Sequence, residues 1–187
     1  TNPQLFPLKQ RTCNFSFAEF NGKVLRLIET LEQEFNLEPD AVLPQAADIA
    51  ASVQRFITAY LIKRLKRAFI FVDWNHLLDG QSFHLVISGG CACNSYITNA
   101  IKNYCLTEGI NVYVPPKNLC TDNGIMIAWN GVLKLRSENE FPNLIKRTKH
   151  EIEQVDIESE CLLGKDLSMQ VNMQRIPVHK IDFDKVF

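Results

Sequence analysis

Two short turns hold most of the residues in this chain that could carry chemistry. The first is residues 88–94, SGGCACN, which follow an apolar stretch and precede a helical pattern. The second is residues 120–124, CTDNG, which also precede a helical pattern. Turns that connect strands and helices are where α/β proteins place their ligands. If the two turns face one another, they form one site.

The first turn has the composition of a phosphate-binding loop. Gly89 and Gly90 lack side chains, so backbone N–H groups can approach an anion, which a helix N-terminus also favours. However, neither the dinucleotide fingerprint nor the Walker pattern is present, and tight turns also use glycine for steric reasons. Nucleotide binding and a purely structural turn are therefore both open. Asn94 either donates to a ligand or caps the next helix.

The second turn has two interpretations as well. Thr121, Asp122 and Asn123 are all good helix N-caps, and an acid at a helix start is stabilised by the helix dipole. Capping alone would explain the run. Alternatively, Asp122 supplies a carboxylate oxygen to a divalent metal, with Thr121 and Asn123 orienting it or a substrate. One carboxylate cannot hold a metal by itself, so this interpretation requires ligands from elsewhere.

Composition excludes several other classes of protein. The 187 residues suffice for one domain with a core, and 20 basic against 21 acidic residues argue against a generic polyanion binder. No apolar run approaches the roughly 20 residues that span a bilayer, so no membrane partner is expected. The six cysteines lack zinc-site spacing and favour a reduced compartment. The sequence has no G-x-S-x-G nucleophile elbow, so hydrolase chemistry has no support.

Hydrophobic periodicity predicts an α/β fold. The order of elements favours a mixed sheet with helices packed on it. We divide the chain into three segments. Residues 1–43 are a lead-in segment with an amphipathic helix, residues 44–136 are a lobe that carries the two turns, and residues 137–187 are a polar excursion with the C-terminal tail of the same lobe. The predicted helices are 18–35, 47–66, 94–106 and 121–135, and the predicted strands are 68–72, 83–87, 111–114 and an edge strand at 176–178.

Four segments in order resemble one protein family. Residues 85–94 (LVISGGCACN), prolines 115–116 and residues 120–129 (CTDNGIMIAW), preceded by residues 48–54 (DIAASVQ), closely resemble the TsaD family. These proteins transfer a threonylcarbamoyl group to the adenosine beside the anticodon of tRNA. The chain is most similar to the second half of the animal mitochondrial members. The resemblance implies an actin/Hsp70/sugar-kinase-like lobe of ribonuclease-H type and a mitochondrial location.

The resemblance also assigns roles to residues. Asp122 would be a ligand of one divalent metal ion, iron or zinc, together with two histidines of an H-x-x-x-H motif that this sequence lacks. The chain alone is therefore expected to be inactive, and the alternative is a non-catalytic interaction or dimerisation module of the same fold. The expected partners are tRNA, threonylcarbamoyl-adenylate and a second copy in a homodimer. The residues expected at the adenylate are Ser88, Gly89, Gly90, Cys93, Asn94 and Thr121.

Overall fold

A computed structural model of the chain describes residues 12–38, 41–78, 80–137, 164–177 and 180–187. These residues form six α-helices, two short strands and two 3₁₀ helices. In chain order they are α1 (Ala18–Glu34), α2 (Ala46–Trp74), β1 (His84–Val86), a first 3₁₀ helix (Gly90–Cys93), α3 (Ser95–Thr107), β2 (Asn111–Tyr113), α4 (Lys117–Cys120), α5 (Gly124–Ser137), α6 (Ser168–Met173) and a second 3₁₀ helix (Phe183–Lys185).

The chain divides into two compact units that are discontinuous in sequence. The predicted divisions after residues 43 and 136 stay predictions. Of the predicted polar excursion, residues 138–160 lie outside the described residues. The first unit comprises Thr1–Leu85, Ser95–Val112 and Leu167–Phe187, and the second comprises Val86–Asn94 and Tyr113–Asp166.

Helix α2 is the longest element of the first unit. It contains no glycine or proline over its 29 residues, and Asp48 in its first turn complements the helix dipole. At about 1.5 Å per residue it extends for about 44 Å. Stacked rings of Phe20 and Phe56, with centroids 4.2 Å apart, join α1 to α2. Among the described helices, none is both long and apolar enough to cross a membrane.

The predicted strand at residues 68–72 is wrong, because this segment forms the last turns of α2. A short apolar run does not distinguish a strand from a buried helix by periodicity alone. Here nothing in the sequence interrupts the helix, and Arg64, Arg67 and Phe71 are buried at helical spacing on one face. Phe71 then packs with Val171 of α6 and with the buried Ile176.

Helix α3 supplies much of the remaining core of the first unit. It packs against α2. At the end of α3, Glu108 lies 3.7 Å from the ammonium group of Lys66 on α2. The C-terminal residues also attach to α3, since the Asn103 side chain donates to the carbonyl of Val186 at 3.0 Å. The buried residues of α3 are Ile97, Thr98, Ala100, Ile101, Tyr104 and Cys105.

The described residues contain one sheet of two parallel strands, β1 and β2. A parallel pair requires a crossover connection, and α3 provides it. Beyond the paired strands, the N–H of Ile87 donates to the carbonyl of Tyr113 at 2.9 Å. The two described strands are compatible with the predicted α/β fold, and the mixed sheet stays a prediction. Residues 176 and 177 of the predicted edge strand are not in a strand, and Val178 lies outside the described residues.

Candidate functional site

The second unit contains both turns that the sequence singles out, and two of its short helices bring them into contact. The first 3₁₀ helix, which follows the glycines, packs against α4, which leads into the second turn. The thiol of Cys93 donates to the carbonyl of Lys117 on α4, with the two heavy atoms 3.8 Å apart. The buried thiol of Cys120 donates to the carbonyl of Pro115 at 3.4 Å. The two thiols thus fix α4 at both ends.

The structure explains the choice of glycine at one of the two glycine positions of the first turn. Gly89 adopts φ +92° and ψ 170°, a region that other residues rarely enter. Gly90 has no positive φ, and a Cβ placed on it would have no heavy atom within 4 Å. The turn closes through hydrogen bonds from Ala92 N–H to the Gly89 carbonyl and from Asn94 N–H to the Cys91 carbonyl. Backbone conformation therefore explains Gly89, whereas neither conformation nor packing explains Gly90.

The other polar residues of the first turn lie at its two ends. Ser88 is exposed and follows β1, while Asn94 is half-buried and extended directly before α3. Cys91 is an exposed free thiol, and Cys93 is a half-buried one. Asn94 thus occupies the N-cap position that the sequence predicted as one of its two roles.

In the second turn the capping role belongs to Asn123. Its Oδ1 accepts a hydrogen bond from the N–H of Met126 at 3.1 Å, and its Nδ2 donates to the carbonyl of Thr121 at 2.8 Å. Helix α5 consequently begins at Gly124, so the prediction that this helix begins at Thr121 is wrong. Thr121 and Asp122 precede the helix and are both exposed. Since Asn123 is the cap, the structural reason left for the Asp122 carboxylate is its favourable position beside the N-terminus of α5.

Asp122 alone is suited to hold a metal in this turn. Its carboxylate is exposed, and no hydrogen bond to it is found within the described part of the chain. A divalent metal needs at least three protein ligands to be held firmly. Across residues 12–38, 41–78, 80–137, 164–177 and 180–187, no three side chains of His, Cys, Asp or Glu are grouped to bind one. The residues present therefore fit one ligand position, and a complete site needs others.

The sequence did not identify Asn123 as the N-cap of α5. Three good capping residues in a row share the same propensity, so the sequence gives no means of choosing the N-cap among them. Residues 48–54, which share in the family resemblance, lie on α2 in the first unit.

Comparison with known sequences identifies the class of protein. A family profile described as TsaD, tRNA N6-adenosine threonylcarbamoyltransferase, matches residues 2–129, which include both turns. The chain therefore belongs to the TsaD family. No solved structure matches the chain significantly.

Individual relatives support this assignment and show how much of the family the chain spans. The mitochondrial tRNA N6-adenosine threonylcarbamoyltransferase of Rattus norvegicus is 37% identical over 171 residues, which are 91% of this chain and 40% of the rat protein. The human mitochondrial protein is 37% identical over 174 residues, 93% of this chain and 40% of its own length. The tRNA N6-adenosine threonylcarbamoyltransferase of Gluconobacter oxydans is 37% identical over 141 residues, 74% of this chain and 36% of its own. The chain thus spans about two fifths of the relatives it matches.

Proposed function

We propose that this chain forms part of a mitochondrial tRNA-modifying transferase and that its second unit contributes one wall of the active site. The transferase moves the threonylcarbamoyl group of threonylcarbamoyl-adenylate to the adenosine next to the anticodon. The observation that carries the proposal is that the family match covers both turns, and that the 3₁₀ helix of the first turn packs against α4, which leads into the second. Gly90 is exposed in the first turn, where a ligand could approach the backbone closely.

The first turn is proposed to bind the phosphate of the adenylate. Gly89 and Gly90 are exposed, and the first N–H groups of a helix have no acceptor within it. An anion seated on the turn would accept from these N–H groups, which supports the assignment of the phosphate here. Ser88 and Asn94 at the two ends of the turn add polar side chains, and Cys93 and Thr121 complete the set proposed to face the adenylate.

Asp122 is proposed to hold a divalent metal, iron or zinc. When bound, the metal would polarise the carbonyl that is attacked and stabilise the charge that develops on the leaving phosphate. Asn123 would hold the backbone on both sides of Asp122, through its hydrogen bonds to Thr121 and Met126. The remaining ligands are proposed to be a histidine pair, which this sequence lacks in H-x-x-x-H form.

The proposed reaction is an acyl transfer. The exocyclic amine of adenosine attacks the threonylcarbamoyl carbonyl carbon, a C–N bond forms, and the C–O bond to the adenylate phosphate breaks. The amine releases its proton to solvent, and AMP dissociates from the first turn as the leaving group. Since one carboxylate is an incomplete metal site, the chain by itself is proposed to be inactive. tRNA as a partner and a mitochondrial location are parts of the same proposal, supported by the names of the relatives. A homodimer is proposed on the family resemblance alone.

The second candidate is a non-catalytic interaction module of the same fold. The observation that favours it is that the described residues hold one metal ligand rather than a set. A module of this kind would bind a partner without transferring a group. This candidate predicts that a chimera of the chain with the remaining part of a relative has no transferase activity.

A chimera separates the two candidates. This chain replaces the matched 171-residue segment of the rat protein, and transfer to tRNA is measured with threonylcarbamoyl-adenylate as donor. The transferase proposal expects activity that Asp122→Ala abolishes together with bound metal. Asp73→Ala, which removes an equally exposed carboxylate on α2, is the control and should leave activity unchanged. An active chimera whose Asp122→Ala variant keeps both activity and metal would contradict the assignment, and an inactive, folded chimera would favour the interaction module.

A further inference from the structure

Two cysteine side chains tie the short helix α4 to the residues around it. The thiol of Cys93, in the first 3₁₀ helix, donates to the carbonyl of Lys117, with the two heavy atoms 3.8 Å apart. The thiol of Cys120 donates to the carbonyl of Pro115 at 3.4 Å. The carbonyl that lies between these two acceptors in sequence accepts from the N–H of Leu119 at 2.8 Å. Three consecutive carbonyls at the start of α4 are therefore hydrogen-bonded, two of them by thiols.

Helix α4 depends on such contacts because it is short. It has four residues, and a single helical turn makes few internal hydrogen bonds for the backbone that it orders. Prolines 115–116 precede it, and proline has no N–H to donate. Cys120 is buried and Cys93 is half-buried, so both thiols lie within the packing of this segment. The position of α4 is thus set by its surroundings rather than by its own propensity to form a helix.

The two thiols make one connection between the two turns of the candidate site. Cys93 ends the 3₁₀ helix that begins at Gly90, and Cys120 stands two residues before Asp122. All four residues and α4 belong to the second unit. A thiol is a weak hydrogen-bond donor, so each contact contributes little to stability. What the contacts determine is where α4, and with it the start of the second turn, lies against the first turn.

We propose that Cys93 and Cys120 are positioning residues of the proposed transferase. Through α4 they hold the phosphate-binding turn and the carboxylate of Asp122 at a fixed separation. A misplacement of about 1 Å can slow a catalysed reaction about 100-fold, so weak contacts that set this separation affect the rate more than the stability. The inference rests on the proposed function. It gives a role to Cys120, and it adds a contact with α4 to the place proposed for Cys93 beside the adenylate.

The connection is first tested in the chain itself, by amide hydrogen exchange measured with NMR. The N–H groups of Leu119 in α4 and of Asn94 in the first turn both donate to backbone carbonyls, so each reports the opening of its own segment. Cys93→Ala should speed exchange at Leu119, and Cys120→Ala should speed exchange at Asn94. We expect a change of about two- to tenfold in each case, as one weak hydrogen bond produces in a local equilibrium.

Two other cysteines provide matched controls. Cys91→Ala removes an exposed thiol from the same 3₁₀ helix as Cys93. Cys105→Ala removes a buried thiol from α3, in the first unit. Neither control should change exchange at Leu119 or Asn94.

The rate of transfer by the chimera with the rat protein is the second measurement. Cys93→Ala and Cys120→Ala should each lower kcat roughly tenfold and leave KM for threonylcarbamoyl-adenylate nearly unchanged, because the reacting groups are misplaced but the substrate contacts remain. Cys120→Ser keeps a donor and should recover most of the rate, which a purely apolar packing role would not predict. Cys105→Ala should leave kcat unchanged per folded molecule, with the folded fraction measured by circular dichroism.

The inference is overturned by any of three results. Exchange could change only within the turn that carries the substitution, an active chimera could keep its kcat in both alanine variants, or Cys120→Ser could be no faster than Cys120→Ala. A rise in KM without a fall in kcat for Cys93→Ala would likewise show that this residue acts by contact with the adenylate alone. An inactive wild-type chimera would contradict the proposed function, and the exchange measurement would then decide whether the thiols connect the two turns.

Discussion

The side-chain oxygen of Asn123 accepts a hydrogen bond from the backbone N–H of Met126 at 3.1 Å. Its amide nitrogen donates in the opposite direction along the chain, to the carbonyl of Thr121 at 2.8 Å. Asn123 therefore links Thr121, the residue before Asp122, to the first turn of α5. The start of α5 depends on this side chain.

Replacing Asn123 with alanine should lower the free energy of unfolding by about 1 kcal/mol, the usual cost of losing an N-cap side chain. Asn123→Asp keeps an acceptor for Met126 but removes the donor to Thr121, so it should cost less. Urea unfolding followed by circular dichroism measures both. Asn130→Ala, in the middle of α5, is the control and should not destabilise the protein. Equal stability of Asn123→Ala and wild type would mean that this cap contributes nothing.

The adjacent glycines should respond differently to alanine. Gly89→Ala forces a side chain into a positive-φ conformation and should cost about 1–3 kcal/mol of stability. Gly90→Ala meets no neighbouring atom and should change stability by less than about 0.5 kcal/mol. In the chimera with the rat protein, however, Gly90→Ala should reduce transfer because the methyl group occupies the space proposed for the phosphate. Unimpaired transfer by a stable Gly90→Ala variant would remove the main support for the first turn as a ligand site.

The end of α2 should be a structural requirement of the first unit. Phe71 is 5% exposed and contacts Val171 and Ile176, so Phe71→Ala leaves a cavity and should cost about 3 kcal/mol or more. Trp74→Ala, one turn later at the end of α2 where the tryptophan is 52% exposed, is the matched control with an expected loss below about 1 kcal/mol. Chemical denaturation curves of the two variants test the difference. Similar losses would indicate that Phe71 is not part of a packed core.

Ionisation of the Cys105 thiol should lower the free energy of unfolding in alkaline solution. Burial, aided by the nearby Glu108 carboxylate, raises the pKa of this thiol from 9.0 to about 11. The folded state therefore holds the proton more tightly than the unfolded state. The resulting stability is fully present below pH 9 and is lost as the pH rises from 9 to about 11.

Unfolding by guanidinium between pH 8 and 11 measures this decline. Cys105→Ala should flatten it, whereas Cys91→Ala, which removes an exposed thiol, should not. Burial also raises the pKa of Tyr104, so the informative quantity is the difference in slope between the two cysteine variants. Parallel pH profiles for these variants would show that Cys105 does not titrate differently in the two states.

The turns and the helices around them were predictable because their signals are local. Glycines after an apolar run, capping residues before a periodic stretch and prolines 115–116 each act within a few residues. Whether residues 68–72 are strand or helix was not predictable in this way, because the burial of Phe71 against α6 depends on residues about a hundred positions later. The N-cap was also ambiguous, since Thr121, Asp122 and Asn123 have similar propensities and only the observed start of α5 distinguishes them.

If the first turn binds the phosphate as proposed, folding and ligand binding place different requirements on the residue at position 90. A library of variants at this position, selected only for soluble and stable protein, should accept alanine, serine and other small residues. The same library selected for growth that depends on tRNA modification should retain glycine. At Gly89 both selections should retain glycine, because the backbone requires it under either condition. Of these two neighbouring glycines, Gly89 would then be retained under both selections and Gly90 only under selection for tRNA modification.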